Sequence, residues 1–472
     1  MTQVTEGLMP LVAAWLPQQR WFGGKGRKIT ATTLRPIGTL GRTLLHIATV
    51  DYADGAGEAY QVPLVLRETP LDALDHALLG SLEADGGTRW VYDALHDKDV
   101  TGGWLTGIRD EQTIEAVTFH RTAEPDEIPV GESSLALTGE QSNTSLAYAD
   151  IAILKVFRRL APGINPDIEV LHVLSERGAA NIARLYGYVT AQIDGAEYAL
   201  AMLQEFLTTA TDGWDLAKTS VRDLMAEADL HAEEAGGDFA GEAERLGAAV
   251  ATIHTDLALA FGSTPAGSEY LGGRADDMRA RLEAALPIVP QLADLAPALQ
   301  GLYDAFAGVV SNLAVQRIHG DLHLAQALRT VRRWVVIDFE GEPSAPLEQR
   351  RRPDSPLRDV AGMLRSFDYV ARHRLLETGI DPAANPQLAY RADEWATRNR
   401  TAFLDGYTTA ALEADGINPR TYPIALRAFE ADKAVYEAVY EARHRPNWLP
   451  IPLASIARLT EATTSEQRGA DQ

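Results

Sequence analysis

Two carboxylates and one side-chain amide are spaced along residues 317–338 in a pattern that could do chemistry. Asp321 lies in Arg-Ile-His-Gly-Asp-Leu-His-Leu-Ala-Gln, five residues before the amide of Gln326, and the apolar run Trp-Val-Val-Ile then ends at Asp338. One carboxylate can orient and deprotonate an acceptor hydroxyl, while an amide oxygen and a second carboxylate can hold Mg²⁺ on nucleotide phosphates. This pattern favours Asp321 as a catalytic base, with Gln326 and Asp338 as metal ligands.

The plain alternative for Asp321 is a turn residue, since an aspartate that follows a glycine usually has that role. Turn chemistry does not explain why an apolar strand at residues 335–337 then delivers a second carboxylate, Asp338. We therefore favour the catalytic interpretation of the full set.

The same residues resemble a known family. The stretches His-Gly-Asp-Leu-His (319–323) and Ile-Asp-Phe-Glu-Gly-Glu-Pro (337–343) resemble the catalytic and metal-binding loops of the aminoglycoside-phosphotransferase-like kinases, and most of all those of actinobacterial maltokinases. The resemblance implies that Asp321 is the catalytic base and that Gln326 and Asp338 bind magnesium. Most of the wider family has asparagine in place of Gln326, and maltokinases resemble this chain in having glutamine.

A small polar loop is predicted to contact the phosphates of ATP. Residues 135–146 have two strand-like ends around a turn that contains Gly139, Ser142 and Asn143. Small residues would let backbone N–H groups approach phosphate oxygens closely. A plain hairpin would have the same sequence pattern.

A lysine on the next strand is predicted to bind the nucleotide as well. Lys155 lies in the apolar run 151–157, and a helix that opens at Pro166 carries Glu169. A lone strand lysine more often extends from a sheet edge. A strand lysine held by a helix glutamate is the arrangement that grips nucleotide phosphates. Backbone groups around Glu205 are predicted to take the adenine edge.

The acceptor site is predicted on a C-terminal helix within residues 429–443. Lys433 and Glu437 are one helical turn apart, with Tyr436 beside them. Polar groups and aromatic rings together could hold a sugar, and Trp448 could stack on its C–H face. The alternative is an exposed, salt-bridged helix face.

The predicted fold class is α+β, and the resemblance implies a bilobal fold like that of protein kinases and aminoglycoside phosphotransferases, with a β-rich N-terminal cap. The predicted segments are a cap at 1–130, a nucleotide-binding lobe at 131–205 and a mostly helical lobe at 206–472. Within the cap, short alternating runs predict antiparallel strands, and residues 71–82 and 90–95 predict helices.

A glycine-rich basic stretch at residues 20–27 lacks the Walker spacing and follows no predicted strand. We interpret it as a structural turn with packed aromatic rings. A similar stretch begins the cap subdomain of maltokinases.

Composition excludes several classes of protein. The chain has 472 residues, a formal net charge of −23 and no cysteine. Disulfide scaffolds, thiolate zinc sites and cysteine nucleophiles are excluded, and the acidic excess argues against nucleic-acid or anionic-membrane partners. No stretch approaches the ~20 apolar residues of a membrane span, so we expect a cytoplasmic protein.

The sequence thus predicts an ATP- and Mg²⁺-dependent sugar kinase. Residues 432–443 and 446–453 resemble the maltokinase C-terminus, which implies phosphorylation of maltose at its anomeric hydroxyl for α-glucan synthesis. Association with trehalose- or maltose-metabolising enzymes would fit that role. The rivals are a glucosamine kinase that forms glucosamine 6-phosphate, an aminoglycoside kinase and a catalytically silent regulatory module. If Lys433 faces the pocket, it should disfavour an ammonium-bearing sugar.

Overall fold

The computed structural model divides into two compact units. One comprises Met1–Arg177 and Ala183–Thr208, and the other comprises Gly178–Ile182 and Thr209–Gln472. The structure describes residues 2–84, 87–137, 142–226, 230–234, 237–309, 313–342, 345–377 and 385–470. Within these ranges, no helix combines the length and the apolar composition that crossing a membrane requires.

The first unit is built mainly from antiparallel strands. Its strands are β1 (Ile29–Leu40), β2 (Thr43–Tyr52), β3 (Gly57–Arg67), β4 (Leu78–Ala84), β5 (Gly87–Asp93), β6 (Thr113–Ile114), β7 (Val117–Arg121), β8 (Ser134–Ala136), β9 (Asn143–Tyr148), β10 (Ala152–Phe157), β11 (Arg159–Leu160), β12 (Leu185–Ile193) and β13 (Ala196–Glu205). Its α-helices are α1 (Thr2–Trp15), α2 (Lys98–Arg109) and α3 (Pro166–Glu176).

These strands form two sheets. The first has the order β1-β2-β3-β5-β4, with β11 against β3, and the second has the order β6-β7-β12-β13-β10-β9-β8. The chain crosses from the second sheet to the first at Arg158, which lies between β10 and β11. Strands β6 and β7 precede residue 130 and belong to the second sheet together with strands that follow it. The boundary predicted at residue 130, between the cap and the nucleotide-binding lobe, therefore falls within one sheet.

The helices predicted at residues 71–82 and 90–95 are wrong. A 3₁₀ helix covers Asp72–Ala77, and the rest of the first stretch is β4, which pairs with β5. Successive residues of β5 pack on opposite faces of the sheet, with Val91 in one apolar cluster and Tyr92 in another. Such two-sided burial removes the polar alternation that marks a strand, which is why the sequence pattern misled.

The glycine-rich stretch at residues 20–27 is a structural turn. Trp21 and Phe22 pack on Tyr60 with ring centroids 6.0 and 5.2 Å apart. A Cβ atom on Gly24 would lie 2.1 Å from the hydroxyl of Tyr52, so only glycine fits there. These contacts fill one face of the first sheet together with α1, whose Leu8, Val12 and Trp15 are buried.

The second unit is mostly helical. Its α-helices are α4 (Gly213–Ala226), α5 (Ala240–Phe261), α6 (Ser268–Ala285), α7 (Ala296–Ala307), α8 (Leu347–Arg350), α9 (Pro356–Glu377), α10 (Pro386–Glu413), α11 (Pro423–His444) and α12 (Pro450–Ala470). Its short strands are β14 (Thr211–Asp212), β15 (Ser263–Pro265), β16 (Ala314–Gln316), β17 (Ala327–Arg329) and β18 (Trp334–Val336), paired as β14-β17-β18 and β15-β16. The predicted α+β class is confirmed.

Helix α9 is the core of this unit. Its residues from Pro356 to Ala371 are buried on nearly every side. Phe367 packs against the rings of Trp395 and Phe403 on α10, with centroids 6.3 and 5.9 Å apart. A helix buried all round gives the loops that contact it a rigid support.

Candidate active site

The loop that carries Asp321 is held from below by α9. The carboxylate of Asp359 accepts hydrogen bonds from the backbone N–H groups of His319 and Gly320, each at 2.8 Å. Gly320 has φ +87°, a left-handed conformation that suits glycine. Asp359 also lies 3.1 Å from Nε2 of His254 on α5. Although burial opposes its charge, His254 and these contacts keep the pKa of Asp359 below its usual value.

His319 links the loop to the segment that carries the second carboxylate. Its Nδ1 accepts from the N–H of Asp321 at 3.3 Å, so the ring proton lies on Nε2, which donates to the carbonyl of Ile337 at 3.0 Å. The N–H of Ile337 in turn donates to the carbonyl of Gln326 at 3.0 Å. The loop and the strand end are therefore one hydrogen-bonded structure.

Gln326 and Asp338, the predicted metal ligands, lie side by side. The amide Nε2 of Gln326 donates to Oδ2 of Asp338 at 2.9 Å. Strand β18 ends at Val336, earlier than predicted, and Asp338 adopts φ +69°, a conformation uncommon for residues other than glycine. An amide oxygen and a carboxylate are the oxygen donors that Mg²⁺ prefers, so this pair fits a magnesium ion.

The carboxylate of Asp321 is paired with a cation from α11. Nζ of Lys433 lies 2.8 Å from Oδ1 of Asp321. Burial opposes ionisation of Asp321, but Lys433 and His323 outweigh that effect and hold its pKa below the usual value. The reciprocal effect raises the pKa of Lys433 against the cost of burial. At neutral pH, the site therefore contains a carboxylate that faces an ammonium group.

A pocket of about 420 Å³, including its open mouth, surrounds this pair. Its lining residues come from the loop that carries Asp321, from the segment after β18, and from α6, α9 and α11: Arg281, Gly320, Asp321, Leu322, Glu342, Arg358, Asp359, Gly362, Phe429, Asp432, Lys433 and Tyr436. A few convergent polar groups in a concave site are typical of pockets that bind small molecules.

Two of the predicted sugar-binding residues lie elsewhere in this unit. Of the described residues, Glu437 and Trp448 are not among those that line the pocket. Glu437 accepts two hydrogen bonds from Arg365, at 2.7 and 3.0 Å, and burial raises its pKa although Arg365 opposes the rise. The ring of Trp448 packs edge-on against His373, with centroids 4.3 Å apart.

Four charged residues of the pocket were missed in the sequence. Nε of Arg281 lies 2.9 Å from Oδ1 of Asp432, and Nη2 of Arg358 lies 3.0 Å from Oε2 of Glu342. Asp432 precedes Lys433 directly, and Glu342 lies in the stretch 337–343, whose sequence resembles a metal-binding loop, so a local signal existed for both. Arg281 is on α6, and no sequence pattern connects that helix to the pocket.

In the first unit, Lys155 forms an ion pair with the start of α3. Its Nζ lies 3.6 Å from Oδ2 of Asp167, a residue that the sequence pattern did not single out. Asn165 caps this helix by accepting from the N–H of Asp167 at 2.8 Å, and Pro166 is its first residue, as predicted. Glu169 lies two residues after Asp167 on α3, and its pairing with Lys155 stays a prediction.

The other predicted nucleotide residues lie at the ends of strands. Asn143 begins β9 and Ser142 is exposed beside it, whereas Gly139 lies outside the described residues. At the end of β13, the N–H of Glu205 donates to the carbonyl of Arg184 at 2.8 Å. That N–H is therefore already hydrogen-bonded within the first unit. Other backbone groups would have to hydrogen-bond the edge of the adenine ring.

The chain is similar in sequence to one known domain family and to two known proteins. Residues 15–97 match the maltokinase N-terminal cap domain. A glucosamine kinase of Mycolicibacterium smegmatis is 30% identical over 417 residues, which cover 82% of this chain and 99% of the relative. A glucosamine kinase of Streptacidiphilus jiangxiensis is 31% identical over 426 residues, which cover 84% of this chain and 92% of the relative.

Solved structures of glucosamine kinase are also similar to this chain. A glucosamine kinase in complex with glucosamine, ADP and inorganic phosphate superposes with a TM-score of 0.68 at 25% identity, covering 96% of this chain and 99% of that chain. A second crystal form of glucosamine kinase has a TM-score of 0.71, also at 25% identity and with the same coverage.

Proposed function

Because this chain belongs to the family of sugar and aminosugar kinases that includes these glucosamine kinases, we propose that it transfers the γ-phosphate of ATP to the anomeric hydroxyl of maltose. Like its relatives, the chain is a phosphotransferase with an alcohol group as acceptor. The product, maltose 1-phosphate, would feed α-glucan synthesis. The match of residues 15–97 to the maltokinase cap and the maltokinase-like sequence at 432–453 support this acceptor.

The observation that carries the proposal is that three carboxylates of the pocket are each paired with a cation. Asp321 faces Lys433, Asp432 faces Arg281 and Glu342 faces Arg358, at 2.8, 2.9 and 3.0 Å. Because each of these carboxylates is already neutralised by a cation, an ammonium-bearing sugar would gain less from them than from a carboxylate that has no cation beside it. A neutral sugar can instead bridge paired charges through its hydroxyl groups.

In this proposal Asp321 is the catalytic residue. Lys433 contacts Oδ1, so we assign Oδ2 as the oxygen that accepts the hydrogen bond of the sugar hydroxyl. The lowered pKa keeps Asp321 ionised at neutral pH. Phosphoryl transfer through a loose transition state depends mainly on positioning, so a weakly basic carboxylate can orient the hydroxyl and take its proton late.

The nucleotide and metal roles follow the same proposal. Gln326 and Asp338 would hold Mg²⁺, which neutralises charge on the phosphate oxygens when it is bound. Lys155 would contact phosphate oxygens, and Asp167 with Glu169 would hold its ammonium group in place. Asn143 and Ser142 would present backbone N–H groups near the phosphates.

Initial rates with different acceptors test the proposal. ADP release from ATP and Mg²⁺ should depend on maltose, with low rates on glucosamine, glucose, trehalose and kanamycin. If glucosamine gave a kcat/KM at least as high as that of maltose, the proposal for the acceptor would be wrong. Release of no ADP with any of these sugars would contradict sugar kinase activity itself.

Glucosamine is the second candidate, because two relatives and the solved complex are glucosamine kinases. The variant Lys433→Met separates the two acceptors. If the ammonium group of Lys433 repels an amino sugar, its removal should raise the ratio of kcat/KM for glucosamine to that for maltose. An unchanged ratio would show that Lys433 does not select the acceptor.

A further inference from the structure

The helical unit contains a second concave surface that the proposed reaction does not use. It lies between the C-terminal halves of α5 and α10 and the β15-β16 pair, and it encloses about 1110 Å³ including its open mouth. The segment after α10, residues 414–422, forms one wall. We call it the rear pocket.

The chemistry of the rear pocket selects a class of ligand. Among the described residues that line it, none is a lysine or an arginine, so it offers no ion pair to a phosphate. Its polar groups are hydroxyls and amides, together with one exposed carboxylate: Thr255, Ser263, Gln316, Asp415, Asn418 and Thr421. The half-buried ring of Tyr422 adds an aromatic face. Hydroxyl and amide groups beside an aromatic ring suit an uncharged, hydroxyl-rich molecule.

The walls of the rear pocket are fixed by hydrogen bonds. The N–H of Gly416 donates to the carbonyl of Ala411 at 2.7 Å, which closes the end of α10. The side chain of Asn418 accepts from the N–H of Arg420 at 3.0 Å. On the opposite wall, Nε2 of Gln316 donates to the carbonyl of His254 at 2.6 Å. Preformed walls lower the entropic cost of binding a ligand.

The floor of the rear pocket touches the support of the catalytic loop. His254 and Tyr407 line the pocket, and Nδ1 of His254 lies 2.7 Å from the hydroxyl of Tyr407. The other ring nitrogen lies 3.1 Å from Asp359, which holds the backbone of the loop at Gly320. A ligand against this floor would therefore lie two hydrogen-bonded contacts from the catalytic loop.

We infer that the rear pocket is a binding site for a neutral, hydroxyl-rich ligand such as a disaccharide, distinct from the acceptor pocket around Asp321. Thr255 and Thr421 accept hydrogen bonds from it on opposite walls, since their own hydroxyl protons are donated to the carbonyls of Ala251 and Asn418 at 3.0 and 2.8 Å. Tyr422 stacks on its C–H face. Both ring nitrogens of His254 are committed, so the ligand contacts that side chain by packing.

Methyl-resolved NMR tests this inference, since each pocket carries its own reporter. Ile417 lines the rear pocket and Leu322 lines the acceptor pocket, and conservative replacement of each would assign its methyl signals. The probe is methyl α-maltoside, whose blocked anomeric oxygen cannot accept a phosphate at the position proposed for maltose. The Ile417 methyl signal should shift and saturate during the titration.

Two variants fill the rear pocket without touching the catalytic residues. Ala258→Trp on α5 and Ala314→Phe on β16 should each abolish the saturable shift at Ile417, provided that their melting curves show a folded chain. The matched control is Thr252→Trp, an exposed position on α5 outside the lining, which should keep the shift.

Two results would overturn the inference. The first is a shift confined to Leu322, which would place the probe in the acceptor pocket alone. The second is an Ile417 shift that persists in both filled variants. Because turnover of maltose is not the readout, failure here and failure of the proposed function can be told apart.

Discussion

Asp321 and Lys433 form the pair on which the proposed chemistry depends. The two residues are 112 positions apart in the chain, yet Nζ and Oδ1 lie 2.8 Å apart. A carboxylate that is paired with a cation is held in a fixed position but is a weaker base. This combination suits phosphoryl transfer, in which the acceptor hydroxyl needs orientation more than early deprotonation.

Replacing Asp321 by asparagine should abolish most of the turnover. The amide keeps the shape of the side chain but cannot take a proton, so kcat should fall by about 10²–10⁴-fold. Binding of ATP, measured by calorimetry, should be retained because the substitution leaves the proposed nucleotide residues intact. A variant with nearly full activity would remove Asp321 from its assigned role.

Replacing Lys433 by methionine should move the acid limb of the pH profile. Asp321 must be ionised to act, so activity is lost as the pH falls through its folded-state pKa, which Lys433 helps to keep below the usual range. Without the ammonium group, one of the effects that oppose burial is lost, so that pKa rises. The acid limb of kcat/KM should therefore shift to higher pH.

The matched control is Lys433→Arg, which keeps the positive charge and should keep the wild-type limb. An unshifted profile in Lys433→Met would mean that this ion pair does not set the ionisation of Asp321.

At the scale of elements, α9 positions the catalytic loop through Asp359. Replacing this residue by asparagine leaves one fewer acceptor for the two buried N–H groups of His319 and Gly320. The free energy of unfolding should fall by about 1–3 kcal/mol, the cost of a buried unsatisfied donor. The kcat should fall more than KM rises, because the base would lose its position.

The pH dependence of unfolding checks this explanation. The folded-state pKa of Asp359 is depressed, so its stabilising effect is complete above the unfolded pKa and is lost as pH falls through the folded pKa. The stability gap between wild type and Asp359→Asn should therefore close on acidification. Asp405→Asn, in an exposed ion pair with Arg420, is the control and should change stability by less than about 1 kcal/mol. A gap that stays constant with pH would contradict the assignment.

The cap depends on the turn at residues 20–27. Gly24→Ala would force a Cβ atom against the hydroxyl of Tyr52, and overpacking of this kind costs about 1–3 kcal/mol. Thermal unfolding should therefore occur at a lower Tm. The control is Gly102→Ala on α2, where a Cβ atom meets nothing within 4 Å and should be neutral or stabilising. Equal effects of both substitutions would contradict close packing at Gly24.

At the scale of the whole molecule, local patterns predicted most of what lies close together in the chain. The α+β class, the start of α3 at Pro166 and the proximity of Gln326 and Asp338 all follow from spacing within short stretches. The helix predicted at residues 90–95 was wrong because strand β5 is packed on both faces and lacks the alternation that distinguishes a strand from a helix.

The place of Arg281 in the lining of the pocket could not be predicted, since it depends on how helices pack. Arg281 on α6 reaches Asp432 on α11 across 151 positions of sequence. The place of Trp448 also depends on helix packing: its position in the sequence suggested a sugar-stacking ring, and the structure places the ring against His373, outside the lining of the pocket.

The regiochemistry of the product tests the central claim most directly. After incubation with ATP, Mg²⁺ and a mixture of maltose and glucosamine, a ³¹P–¹H correlation spectrum identifies the phosphorylated position. The proposed function predicts one phosphate signal coupled to the anomeric proton of maltose. A phosphate coupled to the C6 protons of glucosamine would contradict it, and would show that the pocket around Asp321 accepts an ammonium-bearing sugar despite its paired charges.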